Sequence, residues 1–365
     1  MSVSWTLSRY LTRQFLTSVG LVFALCLTLG FVIDIVELLN RTAGKEAIGL
    51  STIIGMALLK LPNLTEKMMP FAVLFGAIWC FARMTRSQEL VVARASGVSA
   101  WLFLAPALFS ALLVGAFMTT VYNPFASRLI ARYEELEAKY IRGRPSLLQS
   151  LSSNGLWLRQ GDEKGQSVIH ALRVSDSGLK LEDVILFIYE GQDLFRGRID
   201  ARTAALKAGY WHLERAWVTG PDRPAVFYST LDLKTTLTPN QIQESFATPD
   251  TIAFWDLPRF ISLAEAAGFS ATKHRLHYHA LLAAPILLCA MIFVAAAFSL
   301  RLARLGGAAR LILSGVLTGF LLYFFTDVTQ ALGISGIVPV ALAAWAPATT
   351  ALLLGMAAVF NQEDG

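Results

Sequence analysis

The sequence predicts an α-helical membrane protein, with six transmembrane helices in a three-plus-three arrangement and an all-β, jellyroll-like domain inserted between the two sets. Three observations carry this. Only 16% of the 365 residues are charged and 55% are hydrophobic, whereas soluble domains carry about 25% charged residues. The charges are also crowded, since residues 123–275 hold 19 of the 31 Lys/Arg and 18 of the 26 Asp/Glu. The flanks contain six apolar runs, each long enough for the roughly 20 helical residues that a bilayer core of about 30 Å requires.

The runs lie at about 15–37, 62–83, 100–122, 276–299, 311–331 and 338–360. The first is too long for a signal-peptide core and lacks a small-x-small cleavage site after it, so it is expected to be retained as a membrane helix. In the second, Pro62 and Pro70 bracket the polar stretch Asn63, Thr65, Glu66 and Lys67. An interfacial piece before Pro62 and then a kinked span is the expectation. Basic loops stay in the cytoplasm. Arg9, Arg13, Arg83, Arg86, Arg94, Arg301, Arg304 and Arg310 all fall on one side if both termini are cytoplasmic. That topology puts residues 123–275 outside the inner membrane. The expected organisation is therefore 1–122 with spans 1 to 3, 123–275 as the outer domain, and 276–365 with spans 4 to 6.

The inserted segment opens with a charged helical stretch, Ala126–Arg142, and then changes to short β-rich runs. These are Leu156–Arg159, Val168–Val174, Val184–Tyr189, Tyr210–Val218 and Val226–Leu233, separated by turn signals such as Asp176-Ser177-Gly178 and Gly220-Pro221-Asp222. In Tyr210–Val218 the residues Trp211, Leu213 and Trp217 alternate with His212 and Glu214, the pattern of a half-buried strand. Evenly spaced strands of this kind fit a sandwich or jellyroll. A helix resumes after Asp256, a suitable N-cap, and stops at Gly268.

Several chemistries are absent from the sequence. It holds no G-x-x-x-x-G-K-[ST] nucleotide loop, no H-E-x-x-H and no G-x-S-x-G, so any ATP is expected to be hydrolysed by a partner. Nucleic-acid binding is disfavoured because the charge-rich segment is nearly neutral and carries no basic patch. Cys26, Cys80 and Cys289 all lie in apolar runs and offer neither a disulfide framework nor a metal site. His274, His277 and His279 stand where a helix enters the membrane, and hydrogen bonding at that interface accounts for them better than a metal does.

The remaining polar residues are exceptions within apolar surroundings. Ser87–Gly97, between spans 2 and 3, reads as a helix of two to three turns, capped by Ser87, with Glu89 in its first turn and Gly97 at its end. Such a knob suits docking to a cytoplasmic partner, and equally a capped interfacial helix. Asp34 and Glu37 lie on one face near the outer end of span 1, with Arg41 one turn beyond Glu37. Asp327 lies near the outer end of span 5, and Glu66 and Lys67 begin span 2. These groups read either as solvated helix ends or as a polar entrance for an amphiphile, with Phe320, Tyr323 and Phe324 suited to acyl chains. A paired-carboxylate intramembrane protease built on Asp34 and Asp327 is the alternative from another function class.

The pairs Leu61-Pro62 and Met69-Pro70, the segment Ser87-Gln-Glu-Leu-Val-Val-Ala-Arg-Ala-Ser-Gly97, Asn123-Pro124, Asn154-Gly-Leu-Trp157 and Tyr278-His279 with Pro285 together resemble the lipopolysaccharide-export permease family, LptF/LptG. The resemblance runs through the whole chain in order, and its wording is closer to the LptG branch. It implies a transmembrane permease of an ABC transporter that has no catalytic residues or cofactor of its own. Its implied partners are a second permease (LptF), a homodimeric ATPase (LptB) holding ATP and Mg, the single-span protein LptC, and lipopolysaccharide. The lipid would leave the inner membrane through a cavity between the permeases and pass to a bridge of β-jellyrolls. By the same resemblance 87–97 is the coupling helix, with Glu89 against the ATPase and Arg86, Leu90 and Arg94 beside it. Substrate would meet Asp34, Glu37, Arg41, Arg132, Phe320, Tyr323, Phe324 and Asp327. In one respect the chain departs from the family pattern, which places a lysine where this chain has Asp34.

Overall fold

The structure, a computed structural model, describes residues 5–42, 49–89, 92, 99–142, 156–162, 165–175, 180–190, 194–207, 209–221, 223–235, 248–266, 270–302 and 308–363. In chain order, α1 (Trp5–Thr42) and α2 (Leu50–Arg86) are followed by α3 (Ala100–Phe117), which runs through a π-helical turn at Met118–Tyr122 into α4 (Asn123–Glu137). Six strands come next: β1 (Leu156–Asp162), β2 (Gly165–Ser175), β3 (Lys180–Glu190), β4 (Leu194–Lys207), β5 (Tyr210–Gly220) and β6 (Arg223–Lys234). The chain continues with α5 (Leu257–Ala266), α6 (Thr272–Leu302), α7 (Ala308–Ile334) and α8 (Val340–Glu363). Among the described residues six helices are long and apolar enough to cross a membrane. The chain divides into two compact units, one built on those helices together with residues 250–255, the other formed by 132–249 and 256–271.

Every predicted span is present, and the helices outrun the apolar windows that marked them. Hydropathy registers only the part in lipid, whereas helical hydrogen bonding continues through the polar turns beyond it. The largest difference is in α2. The chain does not break before Pro62, since Leu50–Arg86 is one helix containing both prolines. Each proline removes a backbone donor, and membrane helices tolerate this where neighbours and hydroxyl side chains re-satisfy the freed groups. Between the prolines the Thr65 hydroxyl adds a second donor to the Leu61 carbonyl at 3.1 Å, while the carbonyls that the prolines themselves free are those of Leu58 and Glu66.

Apolar residues from five helices, among them Phe15, Leu74, Leu104, Met291 and Val359, form one buried core. Two glycines set the closest approaches within it. A Cβ at Gly76 would lie 2.6 Å from Cα of Val19 in α1, and one at Gly115 would lie 2.5 Å from Cα of Pro285 in α6. Small residues at such crossings let helices pack in lipid, where burial of apolar surface supplies no drive. By contrast, α1 and α7 leave long apolar faces uncovered. Leu21, Leu25, Leu29 and Ile33 are 56–66% exposed, and Leu313, Leu317, Phe320 and Phe324 are 56–69% exposed.

The inserted unit is all-β between its helices, as expected. Its strands pair antiparallel in chain order as one six-stranded sheet, a plainer order than the Greek-key crossings of a jellyroll. The sequence pattern missed β4, whose buried Ile199, Ala201, Ala204 and Leu206 are separated by Asp200, by Arg202 with Thr203, and by Ala205, so that the alternation slips once. Alanine is a poor strand former and hides the alternation. Trp217 was expected beside Trp211 and Leu213, but those two are buried while Trp217 is 50% exposed. The reason is Arg215, whose φ of 54° shifts the alternation by one, so that Ala216 takes the buried place. Asp183 in β3, with φ of 53°, makes the same shift between buried Leu181 and Val184. Residues on both sides of these shifts share one core.

Candidate functional site

The polar residues of the spanning unit fall into three groups. In the first, Asp34 on α1 is buried and accepts from Nζ of Lys60 on α2 at 2.6 Å. Lys60 lies 26 residues away and carries no signal in the sequence, because the pairing depends on which faces of two helices meet. Glu37 and Arg41 pair with each other along α1 and stay exposed. On α7, Phe320, Tyr323, Phe324 and Asp327 are exposed, and the Tyr323 ring lies 6.3 Å from that of Phe71 on α2. Helix α2 thus touches both α1 and α7, while α7 packs chiefly against α8 and α6. Asp34 pairs with Lys60, and among the described residues no hydrogen bond or ion pair joins it to Asp327, as a paired-carboxylate protease would need. Arg132, on α4, pairs with Glu135 at 2.5 Å and belongs to the other unit.

The second group was not anticipated from the sequence, which left Asp250 in an unassigned stretch. Asp250 receives hydrogen bonds from Lys67 Nζ at 2.9 Å and Asn63 Nδ2 at 3.2 Å, both on α2, and His277 Nδ1 of α6 lies 3.5 Å away. Burial pushes its pKa up, but the Lys67 ammonium, His277 and the two hydrogen bonds outweigh that and hold it below the ordinary aspartate value. Asn123, buried at the start of α4, donates to Glu66 at 3.3 Å and accepts from the Phe254 backbone N–H at 2.9 Å. Trp255 Nε1 donates to the Thr120 carbonyl at 2.9 Å. Thr120 lies in the π-helical turn, where such widened turns release carbonyls from the helical ladder. The Phe254 ring stacks on Tyr278 at 5.5 Å. Residues 250–255 are therefore fastened to α2, the π-helical turn, α4 and α6, and Glu66 and Lys67 serve this fastening. Among the described residues no group of three His, Cys, Asp or Glu could hold a metal.

The third group lies at the opposite end of α2. Ser87 caps that helix at its C-terminus, where sequence reading had it opening the next one. Its N–H bonds to the Arg83 carbonyl and its hydroxyl lies 2.9 Å from Glu89 Oε1. Gln88 has φ of 61°, the left-handed conformation that commonly ends a helix. Glu89 also accepts from the Tyr10 hydroxyl of α1 at 3.0 Å. Arg86 is exposed in the last turn of α2, and Leu90 and Arg94 lie outside the described residues.

The chemistry of these groups is that of holding helices together and of presenting polar ends beside apolar faces. In comparison with known proteins, residues 9–360 match the family model described as lipopolysaccharide export system permease LptF/LptG. The lipopolysaccharide export system permease protein LptG of Haemophilus influenzae is 22% identical over 338 residues, covering 88% of this chain and 89% of that protein. Its namesake from Escherichia coli K12 is 21% identical over 362 residues, covering 96% of each.

Proposed function

The chain belongs to the LptF/LptG family of lipopolysaccharide export permeases, and from that premise we propose how it works as an LptG-type subunit. It is a multi-pass permease of the inner membrane. Both termini are cytoplasmic and the β unit is periplasmic, a reading supported by the eight arginines that one topology gathers on a single side. The observation that carries the assembly is the uncovered apolar surface of α1 and α7. Spans that present leucine and phenylalanine at more than half exposure, beside four other helices that share a packed core, await a second permease and a lipid between them. Lipopolysaccharide enters between the polar outer ends of these spans, its acyl chains against Phe320, Tyr323 and Phe324. Lys60 supplies from span 2 the cation that the family pattern puts on span 1, with Asp34 holding it. Arg41 is a further cation for the head group, and Arg132, in the β unit, is a cation that the lipid meets in its own turn.

ATP is bound and hydrolysed with Mg by a separate homodimeric ATPase, against which Glu89 sits with Arg86, Leu90 and Arg94. Because Tyr10 ties Glu89 to α1, movement of the coupling segment is passed to a helix of 38 residues, about 57 Å long at 1.5 Å per residue. Its far end carries Asp34 and Glu37. Closure of the ATPase therefore shifts the lipid-facing end of span 1, and the lipid moves on to the periplasmic sheet and a bridge of similar folds, with LptC beside the permeases. Purification of the membrane complex tests this directly. Recovery of an ABC ATPase, a second six-span permease and lipopolysaccharide is the expected result, and recovery of the chain alone would overturn it.

A further inference from the structure

A cleft of about 940 Å³ opens between the N-terminal half of α1 and α3. One end is polar: Trp5, Ser8, Arg9, Thr12 and Arg13 line it. Deeper in, the walls are apolar, with Leu16, Ala105, Phe109 and Leu113. The two hydroxyls at that depth are already used, Thr17 donating to the Gln14 carbonyl at 3.0 Å and Ser110 to the Pro106 carbonyl at 2.7 Å. Arg9 and Arg13 are one helical turn apart and exposed, and no ion pair or side-chain hydrogen bond occupies either of them among the described residues. Trp5, 82% exposed beside them, is the residue type that marks the head-group level of a bilayer.

We propose that this cleft binds an anionic glycerophospholipid, its phosphate between Arg9 and Arg13 and an acyl chain along Leu16, Phe109 and Leu113. Guanidinium groups grip phosphate through paired N–H donors, and the gradient from cationic to apolar along the cleft matches a head and a tail. Length decides between a lipid and a partner helix. The cleft runs from Trp5 to Thr17 on α1 and from Leu102 to Val114 on α3, about 18 Å on each at 1.5 Å per residue. That is close to one leaflet, about half of a 30 Å core, whereas a spanning helix needs the full thickness. The site lies at the other end of α1 from Asp34 and goes beyond the transport reading. It assigns the subunit a lipid that is held and not exported.

The test uses the intact protein, with its accompanying subunits, in vesicles of phosphatidylcholine with a minority of phosphatidylglycerol in both leaflets. A photocrosslinking residue at Phe109 reports what fills the cleft, and mass spectrometry identifies the adduct without any transport assay. Phosphatidylglycerol adducts above the bulk lipid ratio are expected. The R9Q/R13Q double variant should lower the preference for phosphatidylglycerol about 25-fold, from roughly five-fold per arginine. Ala105→Trp, which narrows the apolar part of the cleft and leaves both arginines, should lower adducts of either lipid. Adducts at the bulk ratio, a preference unmoved by R9Q/R13Q, adducts undiminished by Ala105→Trp, or an adduct that is a polypeptide or lipopolysaccharide would each overturn the proposal.

Discussion

Lys60→Met isolates the contact between α1 and α2. Asp34 is 7% exposed and its carboxylate lies 2.6 Å from the Lys60 ammonium. At that distance the gross attraction is about 6 kcal/mol for an effective dielectric constant of about 20. Taking each charge out of water costs several kcal/mol, so the intact pair lies near break-even. Removing the lysine alone leaves the Asp34 carboxylate buried without its counter-charge, and a loss of about 3–5 kcal/mol follows. Replacing both, as in the Asp34→Leu/Lys60→Met double variant, removes the stranded charge and should return stability to within about 1 kcal/mol of the starting protein. The thermal or denaturant midpoint of the purified protein reads both changes, and lipid export reads whether the pair also has a functional role. A single variant within about 0.5 kcal/mol of the parent, or a double variant no better than the single, would refute the reasoning.

Glu89→Arg should leave the protein in the membrane and abolish co-purification of the ATPase; unchanged assembly and export would sink that assignment. Tyr10→Phe removes one hydrogen bond, worth about 1 kcal/mol, and should preserve assembly while lowering export per ATP hydrolysed a few-fold. Gly115→Leu drives a side chain into the Pro285 backbone and should cost at least the roughly 1–3 kcal/mol of an overpacked core, read as loss of folded protein from detergent extracts. Because the pKa of Asp250 is depressed, its hold on residues 250–255 is complete above the ordinary aspartate range and is lost as pH falls through the depressed value. Hydrogen exchange of 250–255 should therefore rise in strong acid, and Asp250→Asn should raise it already at neutral pH by removing charged hydrogen bonds worth about 1.5–3 kcal/mol.

The spans and the inserted β unit were legible because each is announced by a one-dimensional property, apolar run length in one case and alternation between turns in the other. What could not be read depends on facing surfaces. Asp34 looked like an open carboxylate in a lipid path until its helix was rotated against Lys60. Glu66 and Lys67 looked like the same outer cluster, yet they fasten residues 250–255, which lie nearly two hundred positions on. Glu89 could be read as a charge in the first turn of an expected short helix, but its tie to Tyr10 joins residues 79 apart. β4 failed for a local reason, since Ala201 and Ala204 carry burial without a strand-forming side chain.

One signal in the sequence does bear on which spans face outward, and it concerns proline. Spans α2, α3, α6 and α8 contain Pro62 and Pro70, Pro106, Pro285 and Pro347 respectively, and all four contribute to the shared core. Helices α1 and α7, whose apolar faces are uncovered, contain none. A proline frees a carbonyl that must be re-satisfied, and within hydrocarbon only neighbouring protein, a side chain or trapped water can do so. A span bound for a lipid-lined surface has fewer such neighbours, so interruption is cheapest where helices are already packed. The absence of proline also leaves α1 without a hinge between Tyr10 and Asp34, about 36 Å apart along the helix. A rod of that kind transmits a tilt from one end to the other, whereas a kinked span would absorb it.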